Sequence, residues 1–452
     1  MQSANQKVKK ENRIDSSAII VEGSKPLRGE VKLSGAKNSG FKLLVAALLS
    51  DENSQISNLP EITDLLLTTN IIKELGGNIS LDGKVAKVSG SNLRTYKIPN
   101  KFSDMSRANI YFVGPLIHRF GKVFIPLLGG CDIGARPLNR HMQGFRALGI
   151  KVEDKKDGWY LQGHPKGGHY KFPKVTHGGT ETLILASVLA SGTTILDNAA
   201  LEPEIDDIIS FLNSLGAKIQ RKPRRRIIIE GVDKLHGSSY TCMPDRNEAV
   251  TYAVAALATK GDIFVKGARA SDLAIFLQKA SEAGGSFHIE KDGIRFKYNQ
   301  LLSSTNITTK AHPGFMTDWQ SLWTILMTQA NGISTVKETI FENRFQHISF
   351  LMQMGANISF FNPKVINKEK YYDFNISDDS PKYFHAIKIK GPTPLQSVQA
   401  KIPDLRGGAT ILLASLVAEG QSRLENADII KRGYSDFVSN FRKIGAKIEG
   451  VS

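Results

Sequence analysis

Leu215-Gly216-Ala217-Lys218-Ile219 decides the fold, because the same phrase, apolar-Gly-small-x-apolar, returns five more times. The other copies are Leu75-Gly76-Gly77-Asn78-Ile79, Leu148-Gly149-Ile150-Lys151-Val152, Ala283-Gly284-Gly285-Ser286-Phe287, Met354-Gly355-Ala356-Asn357-Ile358 and Ile444-Gly445-Ala446-Lys447-Ile448, mostly about 70 residues apart. Each copy closes an amphipathic helix, as over 208–215 or 437–444, with a glycine placed to end it. Each then opens a strand, as over 217–220 or 446–449. Upstream lies a second helix, apolar on nearly every side, over 40–49, 108–120, 180–191, 248–260, 318–330 and 407–419. A helix apolar all round must be buried all round. Between the two helices runs a strand that ends in a loop, as over 193–196 before Asp197-Asn198 or 422–424 before Glu425-Asn426.

The repeat predicts an α/β protein of two inside-out domains, each built of three βαβαββ-type units with helices buried and sheets outside. The period is far longer than that of common solenoids, which favours closed three-unit domains over an open array. Met243-Pro244-Asp245 interrupts the pattern before the fourth unit, so one domain is expected over 35–243. The second is expected over 18–34 with 244–452, its first strand, 30–34, crossing back to join it. Residues 1–17 are polar and of mixed charge, and read as a disordered tail without the apolar core of a signal peptide.

A chain of 452 residues exceeds the ~250–300 at which single cores stop growing, in keeping with two domains. The two cysteines, Cys131 and Cys242, are too few for a disulfide framework and lack metal-ligand spacing, which suits a reducing cytoplasm. Apolar runs such as 43–49 and 183–190 fall far short of a membrane span. A net charge of +16 allows either nucleic acid or small polyanions drawn into a cationic cleft. The densest run, Lys222-Pro223-Arg224-Arg225-Arg226, leads straight into Ile227-Ile228-Ile229 and reads as a solvated hairpin edge. No aromatic-interleaved basic stripe accompanies it, so no nucleic acid partner is expected.

Gly129-Gly130-Cys131-Asp132-Ile133-Gly134-Ala135-Arg136-Pro137 carries a thiol in a glycine-rich stretch that neither a helix nor a strand would choose. A nearby guanidinium such as Arg136 lowers a thiol pKa toward the working range, making Cys131 a candidate acid or nucleophile. The plainer alternative is a small buried hydrophobe.

Eight segments in order carry a resemblance: Ser34-Gly35-Ala36-Lys37-Asn38, the stretch 129–137, Glu202-Pro203-Glu204-Ile205, Met243-Pro244-Asp245-Arg246, Thr317-Asp318-Trp319-Gln320, Glu338-Thr339-Ile340-Phe341-Glu342-Asn343-Arg344-Phe345, Asp404-Leu405-Arg406 and Arg432-Gly433-Tyr434. Over roughly residues 16–448 the chain resembles the UDP-N-acetylglucosamine enolpyruvyl transferases (1-carboxyvinyltransferases). The resemblance implies transfer of the enolpyruvyl group of phosphoenolpyruvate to the 3-hydroxyl of UDP-N-acetylglucosamine with release of phosphate, the first committed step of peptidoglycan synthesis. It implies a cytoplasmic enzyme that is a target of fosfomycin, uses no metal or redox cofactor, and has its site in the cleft between the domains. A monomer is expected, with no membrane or nucleic acid partner.

The resemblance also implies roles. Lys37, Arg107, Arg136 and Arg432 match anion-binding positions for the phosphate and carboxylate. Cys131 takes the place of the acid that protonates the methylene carbon, on a loop that acts as a lid. Asp318 matches the base near the sugar hydroxyl, although an Asp opening a helix is more often a cap. Asn38, Asn139, Thr176, Gly178 and Ile340 fall at substrate positions, and Phe341, Arg344, Asp404, Leu405 and Arg406 line or brace the cleft. Several positions depart from the family: Asn139 where an aspartate facing the uridine is common, Thr176-His177-Gly178-Gly179 in the diphosphate loop, Leu128 for proline and Leu201 for arginine. They cluster on the half that chooses the acceptor. A paralogous enolpyruvyl transferase acting on another uridine nucleotide or nucleotide sugar in secondary metabolism, and a non-catalytic or nucleic-acid-binding protein using the basic surface, are the alternatives. A scaffold has no use for Cys131, Asp318, Lys37 and the arginines together.

Overall fold

The computed structural model describes residues 18–103, 107–127 and 134–451. In all six copies of the phrase the glycine is left-handed, with φ between +79° and +98°. The next residue reaches back across the helix end, as Ala217 N–H does to the Leu212 carbonyl (3.0 Å) and Ala446 N–H to that of Phe441 (2.9 Å). A side chain at the glycine would pay for that conformation, so the phrase ends each helix and releases a strand, Lys218–Lys222 or Lys447–Val451.

One sheet plan recurs. Gly168–Lys171 pairs in parallel with Thr193–Asp197, which pairs antiparallel with Arg226–Glu230, which in turn closes a hairpin with Lys218–Lys222. The other four-stranded sheets follow the same order. The sheet around Lys122–Pro126 keeps three strands, its parallel neighbour reduced to the bridge between Lys97 and Phe124.

Chain segments remote in sequence complete the plan. Ser239–Thr241 lies parallel to Ser54–Ser57 and joins the third unit to the first. Arg28–Lys32, where the sequence reading places a strand at 30–34, lies parallel to Asp262–Lys266. It is not the first strand, which corrects that reading. Ala18–Glu22 precedes it and pairs with both Gln421–Glu425 and Lys447–Val451, supplying the return strand of the sixth hairpin.

Two hydrophobic cores result, one drawing on residues 43–242 and the other on 19–33 with 249–448. We call the parts around them the first and second lobes. Each core surrounds the apolar helices: Lys37–Ala47, Val113–Phe120 and His177–Ser187 in one, Arg246–Ala258, Gln320–Thr328 and Leu405–Val417 in the other. Arg246–Ala258 is buried at every position, as an all-round apolar helix requires. Helices Val113–Phe120 and His177–Ser187 approach so closely that a Cβ on Gly114 would lie 2.8 Å from the Leu185 backbone. Two helices that the sequence reading begins at 108 and 318 open instead with tighter turns, Arg107–Phe112 and Thr317–Trp319.

The two crossings between lobes run side by side. Ala36 N–H donates to the Met243 carbonyl (2.7 Å) and Asp245 N–H to that of Ser34 (2.9 Å).

Candidate active site

Between the lobes lies a cavity of about 450 Å³. Asp318, at the turn before helix Gln320–Thr328, stands on its wall between two guanidinium groups, Arg344 at 2.7 Å and Arg406 at 3.4 Å. Burial alone would raise its carboxyl, but Arg406, Arg344 and the Lys37 ammonium outweigh that and hold it well below the usual carboxylate range. Arg406 follows Asp404, whose carboxylate caps helix Leu405–Val417 by accepting from the Arg406 and Gly407 N–H groups at 2.9 and 3.0 Å. The Arg406 guanidinium also donates to the Tyr434 hydroxyl (3.2 Å).

Lys37 opens helix Lys37–Ala47 on the first lobe, its N–H donating to Asp245 (2.9 Å) and its ammonium paired with Asp64 (2.9 Å). Burial pushes its pKa down, with Asp64 opposing and Arg406 and Arg432 adding to the fall. Asp64 also accepts from Arg432 of the second lobe (3.1 Å), so one carboxylate holds two of the expected anion-binding cations across the cleft. The Arg107 guanidinium donates to the Arg136 carbonyl, and burial together with Arg136 lowers its pKa to about 10. Phe341 lies between the Arg136 and Arg344 guanidinium groups, 5.9 and 5.5 Å from its ring centre. Glu338 orients the backbone there, accepting from the N–H groups of Ile340 (2.7 Å) and Phe341 (3.2 Å).

Thr176 caps helix His177–Ser187, and Gly178 in its first turn lines the cavity. A Cβ at Gly178 would stand 3.1 Å from the Tyr111 hydroxyl and 3.5 Å from His141. Behind this wall, buried Glu181 gathers Lys42 (2.5 Å), His177 (3.0 Å) and the Tyr111 hydroxyl (3.1 Å). Burial works against the charged form of His177, yet Glu181 prevails and raises its pKa.

The protein-family model for EPSP synthase (3-phosphoshikimate 1-carboxyvinyltransferase) matches residues 21–441. A UDP-N-acetylglucosamine 1-carboxyvinyltransferase of Protochlamydia amoebophila is 38% identical, covering 96% of this chain and 94% of its own. The chain belongs to the EPSP synthase family of carboxyvinyltransferases. The enzyme of the same name from Finegoldia magna is also 38% identical, with 96% and 98% covered. Among solved carboxyvinyltransferase folds, the enolpyruvyl transferase NikO of Streptomyces tendae superposes with a TM-score of 0.84 at 22% identity, covering 97% of this chain and 99% of its own. An EPSP synthase of Acinetobacter baumannii gives 0.71 at 15%, covering 97% and 100%.

The structure brings most of the expected residues to one cavity: Lys37, Asn38, Arg107, Arg136, Thr176, Gly178, Asp318, Ile340, Phe341, Arg344, Asp404, Leu405, Arg406 and Arg432 all line it. Asn139 does not. It is exposed at the start of helix Asn139–Ala147, its side-chain oxygen Oδ1 accepting from the Arg140 N–H (2.9 Å). Cys131 lies outside the described residues; the end of its loop touches the second lobe, where the Ala135 N–H donates to Glu342 (2.5 Å).

Sequence reasoning missed Asp64, which in the chain is only an acid in the first turn of helix Thr63–Leu75. It also missed Arg140, Lys310, Asp373 and Asn375 on the cavity wall. The basic run at 222–226 forms an exposed hairpin turn as expected, except that Arg225 is half-buried and its guanidinium crosses to the His312 carbonyl of the second lobe (2.6 Å).

Proposed function

We propose that this chain transfers the enolpyruvyl group of phosphoenolpyruvate to the 3-hydroxyl of UDP-N-acetylglucosamine, releasing inorganic phosphate. This is the step that commits material to peptidoglycan, carried out by a cytoplasmic monomer. The observation that carries the reading is Asp318, ionised among Lys37, Arg344 and Arg406 on the wall of the interlobe cavity. The names of relatives matched over nearly the whole chain supply the acceptor.

In this reading Lys37, Arg107, Arg136 and Arg432 take the phosphate and carboxylate of phosphoenolpyruvate. Cys131 gives a proton to the methylene carbon, leaving positive charge on the carbon that bears the phosphate. The sugar hydroxyl oxygen bonds to that carbon and its proton passes to Asp318. Return of a methyl proton to the Cys131 thiolate, as phosphate leaves with the electrons of its C–O bond, then restores the double bond and the thiol. Asp318 is a weak base while two guanidinium groups hold it, and its basicity rises once the ligand anions share them. The reading includes two lobes, 35–243 against 18–34 with 244–452, hinged at the paired crossings. No helix among the described residues is long and apolar enough to cross a membrane.

The test is phosphate release from phosphoenolpyruvate with a panel of acceptors, with and without fosfomycin. Turnover should require UDP-N-acetylglucosamine, vanish in Cys131→Ala and persist without drug sensitivity in Cys131→Asp. Asp318→Asn should lower kcat by roughly 10²–10⁴. Equal turnover of UMP, or none with any uridine nucleotide, would refute the assignment.

A further inference from the structure

One hairpin breaks the repeat. Four others turn through residues 83–84, 156–157, 223–225 and 291–292. In the fifth unit Asn357–Phe361 and Ala386–Gly391 pair in the same antiparallel manner, Phe361 opposite Ala386, yet residues 362–385 intervene. An excursion of that length on a hairpin has an entropic cost that a two-residue turn avoids, and such segments are usually functional.

The excursion is built, with its own small core. The Tyr372 and Phe374 rings stack 4.8 Å apart, His385 packs on both at 4.9 and 5.2 Å, and the His385 imidazole bonds Asp379 (3.0 Å). It leaves the second lobe and lands on the first. The Lys174 ammonium donates to the carbonyls of Tyr372 (2.8 Å) and Phe374 (2.9 Å). The Arg140 guanidinium donates to the Asp373 carbonyl (2.8 Å) and the Asn375 side-chain oxygen (3.1 Å). From its own lobe Lys310 holds the Tyr371 carbonyl (2.9 Å), and the Asp373 N–H reaches the Thr339 carbonyl (2.7 Å).

Between these anchors Asp373, Phe374, Asn375 and Asp378 line the cavity. Most other wall carboxylates are committed: Asp64 to Lys37 and Arg432, Asp318 to Arg344 and Arg406, Asp404 to its helix, Glu342 to Ala135 and Asp378 to Asn375, while Glu202 of the first lobe also leaves one buried oxygen without a partner among the described residues. The Asp373 carboxylate, partly buried, takes no hydrogen bond among the described residues. Burial pushes its pKa up against the pull of Lys310, Lys174 and Arg140. A substrate with anionic and neutral parts sorts itself accordingly. Its phosphates belong with the lysine and arginines at the Asp318 end, and hydroxyl or imide donors belong against a carboxylate and an amide.

We infer that residues 362–385 form a strap that selects the acceptor, with Asp373 accepting a hydrogen bond from the nucleoside end of the nucleotide sugar. Arg140 and Lys174 are positioning residues that hold the strap across the cleft. The inference rests on the acceptor assignment proposed above.

The test uses the full chain. Asp373→Asn keeps the volume and removes the charged acceptor, so KM for UDP-N-acetylglucosamine should rise about tenfold or more, kcat should stay within about twofold and KM for phosphoenolpyruvate should not move. A second variant joins Phe361 to Ala386 through an Asn-Gly turn, with a melting curve to check folding. It should show the same acceptor-side loss. Calorimetric titration of UMP, which needs no turnover, should weaken by a similar factor in both variants. An unchanged acceptor KM in both, an equal shift in the phosphoenolpyruvate KM, or UMP binding that is unaltered or absent in the wild type would overturn the strap. Loss of the strap effect in an active enzyme leaves the acceptor assignment standing, whereas a wild type that binds UMP but does not turn over UDP-N-acetylglucosamine refutes only that assignment.

Discussion

Glu204 of the first lobe and Arg246 of the second face each other with side chains 1% exposed, joined by two hydrogen bonds of 2.9 and 2.8 Å. Glu204→Ala would leave the guanidinium buried without its hydrogen-bonded counter-ion, beside the Trp319 ring 5.6 Å away and a 3.4 Å contact to His312, with Glu202 and Asp272 acting on it without a hydrogen bond. Breaking such a pair from one side costs about 3–5 kcal/mol. For lobes of this size that corresponds to a fall in Tm of roughly 6–20 °C. The pH dependence adds a second signature. Burial alone would raise the Glu204 carboxyl, but Arg246 outweighs it and holds it down at about 2, against 4.5 in the unfolded chain. A carboxyl lowered in the folded state contributes above its unfolded value and loses that contribution as pH falls through its folded one. The gap between wild type and variant should therefore be full at neutral pH and shrink as pH falls from 4.5 toward about 2. Urea unfolding followed by tryptophan fluorescence is the assay, since Trp319 lies against Arg246. The pair Glu204→Leu with Arg246→Met should recover much of the loss, because it strands no charge. A cost below about 1 kcal/mol, the range of exposed pairs, or additive losses in the double variant would refute the reasoning.

Three further outcomes follow from single contacts. Burial, and then the Asp245 carboxylate beside it, push Glu248 up to about 8. Its contribution is present below 4.5 and lost as pH rises through about 8, so Glu248→Gln should flatten the alkaline decline of Tm, and a constant gap across pH would count against this. Gly114→Ala places a methyl 2.8 Å from the Leu185 backbone, which cannot rotate away, and should cost about 1–3 kcal/mol by urea unfolding; an unchanged midpoint would show that the helices can part. Arg406→Lys keeps the charge but cannot reach both Asp318 and Tyr434, so kcat/KM should fall roughly tenfold or more while Tm moves little.

The chain itself announced its repeat. A glycine that must be left-handed ends an amphipathic helix in each of six places, and a helix such as Arg246–Ala258 without a polar side can only lie inside. Both are local properties, written in neighbouring residues, and motifs fastened to those helix ends, such as Lys37 at one start and Asp404 as another's cap, carried most of the cavity with them. What the tertiary structure decided is pairing at a distance. Ala18–Glu22 finds its partners at 421–425 and 447–451, and nothing in Ala-Ile-Ile-Val-Glu names them, because a strand's partner is chosen by the open edge that the rest of the chain leaves. Asp64 looks like an ordinary first-turn acid until folding sets it between Lys37 and Arg432. Residues 362–385 carry no assignment from the sequence, and only the closing of one lobe on the other turns them into a wall of the cavity, since Lys174 and Arg140 reach them from a lobe whose position no local pattern records.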